Sequence, residues 1–142
     1  TRLDTLQAVV GKWIIKRARG IAEGRHANAA YYDAAFHDIS GVRVPPRNGK
    51  VTGVYLLYIL FAEDRDALLE YCLGHGVEAK IHYPIALYLQ DALKSLGNRK
   101  GDFPVTDRHV ETMISFPVDQ HLEQTEMDHV IGTVRDFYTG ES

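Results

Sequence analysis

The chain has 142 residues, of which 45% are hydrophobic and 25% are charged, the length and composition of one ordinary globular domain. Its formal net charge is −3 and its basic residues are not massed in one block, so composition argues against nucleic acid as the main partner. The single cysteine, Cys72, cannot form an internal disulfide and lies in a helical pattern, which predicts a small core residue in a reducing, cytoplasmic protein.

The first forty residues follow helical spacing. Apolar residues recur at steps of three and four from Leu3 to Ile21, which predicts an amphipathic helix with a break near 15–24, where glycines weaken it. A second helical stretch follows and ends near Ser40 and Gly41, with the glycine as a left-handed cap. The next letters, VRVPP, are typical of a short edge strand that prolines close, and PRNGK is typical of a turn.

The middle of the chain predicts a small sheet. The run 54–61, VYLLYILF, is almost wholly apolar, which favours a strand buried on both faces, and it is too short to span a bilayer. The stretch DRDALLEYCLGHG predicts a helix with Asp64 as its N-cap and Gly76 as its C-terminal stop. The alternation in VEAKI predicts a half-buried strand over 77–81, directly before His82.

The remainder is mostly helical in pattern. ALYLQDALKSLG predicts a helix ending at Gly97, VTDRHVETM a helix capped by Thr106, and ISFP a brief extended piece. The clearest pattern is the last, where apolar residues keep to one face of a helix over 122–138. The predicted fold class is therefore α+β, with about three strands, including 54–61 and 77–81, and with helices packed on the sheet.

Local catalytic motifs are sparse. The sequence has seven histidines but no HExxH or CxxC pattern, so it predicts no metal site. It also contains no GxSxG elbow, Walker loop or GxGxxG fingerprint. The six lysines lie on helix faces, turns or strand flanks, and none is framed as a buried, activated amine. The local motifs alone therefore do not provide a complete set of catalytic residues.

The stretch KIHYPIALYLQ, residues 80–90, is the most informative loop. Pro84 stops any helix or central strand directly after His82 and Tyr83, so two polar rings stand at a break in structure. One interpretation is that they plug the loop, because loop aromatics usually pack and a histidine usually finds a hydrogen-bond partner. The other interpretation is that they face a ligand.

Seven stretches, in order along the chain, resemble the sugar-nucleotide aminotransferases of the DegT/StrS type. They are RLDTLQAVVGK, the spacing of Arg25, Ala29 and Tyr32, VYLLYIL, DRDALLEY, IHYPIALYLQ, GDFPVT and ISFPVD. The resemblance implies that 1–142 is the C-terminal small domain of a fold-type I aminotransferase, within the wider α/β context of that class. The large domain, which holds the Schiff-base lysine and binds pyridoxal 5'-phosphate (PLP), is absent from this chain. We therefore expect a fragment that is inactive alone.

The same resemblance implies the activity of the whole enzyme and the part this domain takes in it. Family members transfer an amino group from glutamate to a nucleotide-linked keto-sugar through PLP, and they act as homodimers with shared active sites in polysaccharide or antibiotic sugar biosynthesis. It implies that Arg2, His82 and Tyr83 bind substrate, with no catalytic, cofactor-binding or metal residue in this chain. These types suit a sugar nucleotide, because a guanidinium offers a fork of donors and His and Tyr donate while presenting a flat face.

The loop departs from the family pattern after its proline. Where members often read HYPxPLH, this chain has Ala86 and Tyr88, a difference that bears on the sugar and not on the fold. Tyr55 and Tyr58, beside the apolar strand, are interpreted as core residues. Two other functions stay open: a stand-alone, non-catalytic binding or regulatory homologue, and a sugar dehydratase-type relative in which histidine replaces the lysine. His82 as a loop plug, and Arg2 in an ion pair within the chain, also remain alternatives.

Overall fold

The computed structural model describes residues 3–140, which form an α+β domain around a small antiparallel sheet. Within that range the helices and strands are α1 (Thr5–Ile15), α2 (Ala18–Phe36), β1 (Val42–Arg43), β2 (Tyr58–Ala62), α3 (Arg65–Gly74), α4 (Pro104–Thr112), β3 (Met113–Phe116) and α5 (Gln124–Thr139). Two 3-10 helices, Leu87–Leu89 and Asp91–Leu96, lie between α3 and α4.

The sheet has β2 at its centre. Its order in the described part of the chain is β1-β2-β3, and both pairs are antiparallel. The register sets Val42 opposite Ala62 in the first pair and Ile59 opposite Ser115 in the second. Alternate residues of β2 are buried, so one face of the strand lies on the core and the expected full burial of both faces is not observed. The α+β class and the small sheet with flanking helices are confirmed.

The core joins the sheet to α2, α3 and α5. Its aromatic centre consists of Tyr32, Phe36, Tyr58 and Phe116, with ring centroids of neighbouring pairs 4.8 to 6.2 Å apart. Cys72 is fully buried in the same core, as predicted, and burial raises the pKa of its thiol to about 11. A thiol with that pKa stays protonated at neutral pH and acts as a small apolar side chain.

The predicted strand over 77–81 is wrong. Among the described residues, Lys80 alone in this stretch makes a bridge, and its partner is Ser115. The third strand is β3 instead, which lies in the segment predicted as a brief extended piece. Val77 and Ala79 are nevertheless buried. The apolar–polar alternation of VEAKI therefore predicted correctly which side chains are buried. It did not predict a strand correctly, because side chains can be buried without a continuous ladder of backbone hydrogen bonds.

The strand predicted over 54–61 begins only at Tyr58. Tyr55 has a φ of 49°, in the left-handed region, where the chain cannot stay extended. The carbonyl of Tyr55 accepts a hydrogen bond from Arg25 Nη1 at 3.2 Å, which fixes this bend against α2. The strand is consequently shorter than its apolar run.

Helix boundaries follow the sequence in part. The predicted break in the first helical region is confirmed between α1 and α2. The helix predicted to end at Gly97 is two 3-10 helices, because Gln90 between them is extended (φ −69°, ψ 148°). Thr106 does not cap α4. The N-cap is Phe103, followed by Pro104 at the start of the helix, where a residue without an N–H fits well.

Helix α1 lies on the surface with its apolar side chains exposed. None of its residues is buried, and Leu6 and Trp13 are 76% and 58% exposed. Its start is fixed by a capping box, in which Asp4 Oδ1 accepts from the backbone N–H of Gln7 at 2.8 Å and the Gln7 side chain accepts from the Asp4 N–H. No helix in residues 3–140 is both long enough and apolar enough to cross a membrane.

Candidate functional site

The candidate site is the loop that follows the bridge at Lys80. His82 is half-buried there, whereas Tyr83 is 71% exposed. The peptide bond between them is cis, and their rings meet edge to face with centroids 6.0 Å apart. The tyrosine ring therefore faces solvent beside an imidazole that is partly enclosed. Arg2, the third predicted site residue, lies outside the described residues, so its role in substrate binding remains a prediction.

His82 is held by a buried serine of β3. Its Nδ1 lies 2.7 Å from Ser115 Oγ, and that hydroxyl donates to the Lys80 carbonyl at 2.8 Å. Ser115 is 3% exposed, and its backbone pairs with Lys80 in both directions, at 2.8 and 3.0 Å. The hydrogen-bond partner expected of a histidine that plugs the loop is thus present on the Nδ1 side of the ring. Nδ1 is bonded into its own domain, and Nε2 makes no hydrogen bond to any residue within 3–140.

A shallow pocket lies beside the His82 ring. Its volume is about 120 Å³, and its walls include Leu56, Leu57, Pro117 and the paired side chains of Lys80 and Glu78. The neighbouring Lys80 lowers the pKa of the Glu78 carboxyl. Sites that enclose a whole drug-sized ligand are commonly about 300–1,000 Å³. This pocket is therefore too small for a whole ligand. It can hold a single chemical group, or it can form one side of a larger ligand site.

Tyr88 does not line this pocket, and it connects the loop to α4. Its hydroxyl donates to the Asp107 carboxylate, whose other oxygen accepts the Gly101 N–H at 2.9 Å. Its ring lies against Phe103, with centroids 4.7 Å apart. Burial, followed by the hydrogen bond to Asp107, raises the pKa of Tyr88 to about 12. The resembled pattern often has histidine at this position. Here Tyr88 makes contacts within its own domain.

A polar cluster that the sequence did not predict joins α2 to the segment after β3. Arg25 donates to Gln120 Oε1 at 2.9 Å, to Asp119 Oδ2 at 3.0 Å and to the Tyr55 carbonyl at 3.2 Å. Asp119 also accepts the His121 N–H, and this bond, followed by Arg25, lowers the pKa of its carboxyl. Arg25 belongs to a motif of the family resemblance, but its spacing gave no indication of these partners.

A second unpredicted cluster lies at the start of β2. Asp33 on α2 accepts two hydrogen bonds from Arg47, at 2.7 and 2.9 Å, and one from the Tyr58 hydroxyl at 2.8 Å. Burial and the bond to Asp33 raise the pKa of Tyr58 far above its usual value. Tyr58 is fully buried and Tyr55 packs partly against the core. Both tyrosines are therefore core residues, as interpreted from the sequence.

The six lysines of the chain lie on the surface of the described domain. All six are exposed, and Lys94 and Lys100 form surface ion pairs with Asp91 and Glu111 at 2.7 and 2.8 Å. A lysine that forms a Schiff base is normally activated by desolvation or a neighbouring cation. For metals, no group of three or more His, Cys, Asp or Glu side chains suitable for one ion occurs in residues 3–140.

The sequence profile of the DegT/DnrJ/EryC1/StrS aminotransferase family matches residues 1–135. The chain belongs to this family. The erythromycin biosynthesis sensory transduction protein EryC1 of Saccharopolyspora erythraea is 31% identical over 134 residues, which are 94% of this chain and 37% of that protein. The dTDP-3-amino-3,4,6-trideoxy-alpha-D-glucose transaminase of Streptomyces venezuelae is 26% identical over 137 residues, 96% of this chain and 36% of that protein.

The fold agrees with the sequence match. The crystal structure of S. venezuelae DesV in complex with a ketimine intermediate superposes with a TM-score of 0.92 at 26% identity, covering 96% of this chain and 37% of that one. The family resemblance inferred from the motifs is thus confirmed. The chain spans a little over a third of the length of the relatives that it matches.

Proposed function

We propose that the chain is the C-terminal small domain of a PLP-dependent aminotransferase that moves an amino group from glutamate to a nucleotide-linked keto-sugar. Family membership supports the reaction class, and the S. venezuelae relative is named as a transaminase of a dTDP-linked amino sugar. Because the chain spans only a little over a third of its relatives, the activity belongs to the longer protein. The enzyme acts in the cytoplasm as a homodimer whose subunits share their active sites.

The exposed apolar surface of α1 supports the proposal that this domain packs against another part of the protein. Its apolar side chains are exposed along the whole helix, from Leu6 to Ile15. Contiguous apolar surface is uncommon on a protein that acts alone and usually marks an interaction surface. The division into a small domain, which is this chain, and a large domain beyond it accounts for that surface.

In this proposal His82 and Tyr83 bind the sugar nucleotide on its sugar side. The observation that carries the assignment is the geometry of the loop: His82 Nδ1 is bonded to Ser115, and the His82 ring meets the exposed Tyr83 ring at a centroid distance of 6.0 Å. A neutral imidazole and a phenol together offer acceptor and donor groups for hydroxyls. The tyrosine ring adds a flat apolar face for a hexose. Arg2 contributes a further donor from the start of the chain.

The cofactor is held by residues beyond this chain. The six lysines are exposed and do not fit an internal Schiff base, and the site residues proposed here are directed at the sugar. When bound, PLP supplies the electron sink that makes proton transfer at carbon feasible. The chain's own residues bind and orient the sugar nucleotide, so the domain alone is inactive.

The test uses the full-length enzyme and separates its two half-reactions. We expect His82→Ala to weaken binding of the keto-sugar nucleotide by about 1–3 kcal/mol, the usual loss for a polar contact, and to leave the half-reaction with glutamate nearly unchanged. Single-turnover measurements with each substrate give the two values. The control is His37→Ala, because the side chain of His37 is 82% exposed. Equal losses in both half-reactions would show that His82 supports the fold or the cofactor instead.

A non-catalytic regulatory role is the second candidate. It is favoured by one observation, the printed name of the S. erythraea relative, which is a sensory transduction protein. Such a protein would bind a nucleotide-linked sugar without transferring an amino group. Amino transfer from glutamate by the full-length protein, measured with a nucleotide-linked keto-sugar as acceptor, excludes this role, whereas sugar binding without turnover favours it.

A further inference from the structure

We propose that Ser115 is a positioning residue for His82: it fixes the imidazole in the Nδ1-protonated form and presents Nε2 as a hydrogen-bond acceptor. This inference rests on the proposed function only in taking Nε2 as the atom that meets the ligand. The serine belongs to β3 and the histidine to the loop after Lys80, 33 positions apart in sequence. Their contact is made by the bridge that aligns Lys80 with Ser115.

The two short contacts of Ser115 Oγ admit one favourable arrangement of protons. A hydroxyl has one proton and two lone pairs, and a carbonyl oxygen can only accept. Oγ lies 2.8 Å from the Lys80 carbonyl oxygen, so the serine proton points at that oxygen; otherwise lone pairs would face each other there. Nδ1, at 2.7 Å from the same Oγ, must then be the donor. The neutral ring therefore carries its proton on Nδ1 and a lone pair on Nε2.

Burial holds this arrangement in place. Ser115 is 3% exposed, so its hydroxyl has little access to water and cannot exchange its partners for solvent. The backbone hydrogen bonds between Ser115 and Lys80, at 2.8 and 3.0 Å, fix the distance between the hydroxyl and the carbonyl. The orientation of the ring is consequently set by the sheet, and the loop supplies only its attachment point.

An acceptor at Nε2 selects the chemistry of the ligand. The hydroxyl of a sugar can donate to it, whereas carboxylate and phosphate oxygens are acceptors only and form no hydrogen bond with a bare lone pair. Lys80, a cation of the same pocket wall, is paired with Glu78, which also makes the pocket a poor match for an anion. While the ring is neutral, this pocket therefore takes a hydroxyl of the sugar ring and not the diphosphate of the nucleotide.

Nitrogen-15 NMR of the histidine ring nitrogens tests the proton assignment without any ligand. On the full chain, at a pH where His82 is neutral, we expect a pyrrole-type Nδ1 and a pyridine-type Nε2 for His82. The His82→Asn variant identifies the signals by their loss. Ser115→Ala removes the acceptor and keeps both backbone bonds to Lys80, so the His82 signals should shift toward the opposite or an averaged form. Ser115→Thr keeps the hydroxyl and should restore the original pattern.

The control is Thr133→Ala, because Thr133 is the second buried polar residue (5% exposed) and its hydroxyl is not bonded to His82. The His82 signals should not move in this variant. A pyridine-type Nδ1 in the wild type overturns the proposal, and so does a Ser115→Ala protein with the wild-type pattern. If Ser115→Ala does not fold, the wild-type and Ser115→Thr spectra decide. The expected tautomer combined with unaltered sugar binding by His82→Ala would support this inference and count against the proposed function alone.

Discussion

At the scale of single residues, Arg25 does the most to connect segments that are distant in sequence. Its guanidinium reaches a carboxylate, a side-chain amide and a backbone carbonyl, and its partners lie 30 to 95 positions away. The side chain of Arg25 is only 18% exposed, so water cannot easily replace these partners. Its role is to hold the segment before β2 and the segment after β3 against α2.

We expect Arg25→Met, which keeps the apolar stem and removes the guanidinium, to lower the free energy of unfolding of the full chain by about 2–3 kcal/mol. Three acceptors lose a donor, and one of them is charged. Urea unfolding measures the change. Arg19→Met is the matched control, because the Arg19 side chain is 91% exposed and its ion pair with Glu23 lies within one helix; its expected effect is below about 0.5 kcal/mol. Similar losses in the two variants would contradict the structural role of Arg25.

The sequence singled out His82 and Tyr83 as candidate residues but gave no indication of Ser115. Both loop residues precede a proline, and that local signal can be read directly. A serine within ISFP carries no such signal, because its partner is chosen by the bridge between Lys80 and Ser115. Knowledge of that register would have been needed to predict the contact. The same reason applies to Asp33 and Arg47, which meet across a fourteen-residue separation through a loop of irregular structure.

At the scale of elements, periodicity predicted helices better than strands. The long helix α5 follows from apolar spacing. The break before α2 lies within the predicted region, but Gly11 and Gly20 on either side of it both lie inside helices. The strands β1 and β3 have two and four residues. Segments this short cannot show a recognisable alternation of apolar and polar residues. The 77–81 segment alternates more clearly than either, yet it contributes one bridge. Packing against β2 determines which segments form the other strands of the sheet. The local alternation of apolar and polar residues does not.

Gly41 shows how one turn couples β1 to α5. Its φ is 85°, and a methyl group added there would lie 2.5 Å from Tyr138 Cε1. Tyr138 is itself fixed, because its hydroxyl donates to the Glu63 carbonyl at 2.6 Å. The backbone of Glu63 in turn donates to the Gly41 carbonyl at 2.8 Å. The turn, the end of β2 and the last helix therefore form one contact region.

We expect Gly41→Ala to lower the free energy of unfolding by about 2–4 kcal/mol, because the left-handed conformation and the overlap with the tyrosine ring both cost energy. The control is Gly97→Ala. Gly97 has a φ of 75°, and an added methyl would meet no atom of the described residues within 4 Å, so only the backbone cost of about 1 kcal/mol is expected. Thermal or urea unfolding compares the two variants. Equal losses would mean that the ring moves aside freely and that α5 is not held at this turn.

At the scale of the whole molecule, the apolar pattern predicted which helices have an apolar face. It did not predict whether that face packs on the core or lies exposed. Helix α5 and helix α1 both repeat apolar residues at helical spacing. Five residues of α5 are buried, including the core residues Val130 and Val134, whereas none of α1 is buried. The physical signal is the same in both cases, since periodicity records an apolar stripe and carries no information about its partner.

The distribution of lysines leads to a prediction for the isolated chain. All six amines are exposed, and those of Lys80, Lys94 and Lys100 are paired with carboxylates. The ion pair with Glu111 raises the pKa of Lys100, the opposite of what a nucleophilic amine needs. We therefore expect the 142-residue chain, incubated with PLP and reduced with borohydride, to carry no stoichiometric label on any one lysine. Peptide mapping by mass spectrometry gives the occupancy of each site.

The reference for that experiment is the same chain unfolded in urea, where every lysine reacts as a free surface amine. Folding should leave the labelling of each lysine at or below this level, because exposure without desolvation gives no reason for a gain. One lysine labelled completely in the folded chain, and only weakly in the unfolded one, would mean that this domain builds its own Schiff-base site. The cofactor would then have to be assigned to this chain, and the proposed division into a sugar-binding small domain and a cofactor-binding large domain would be wrong.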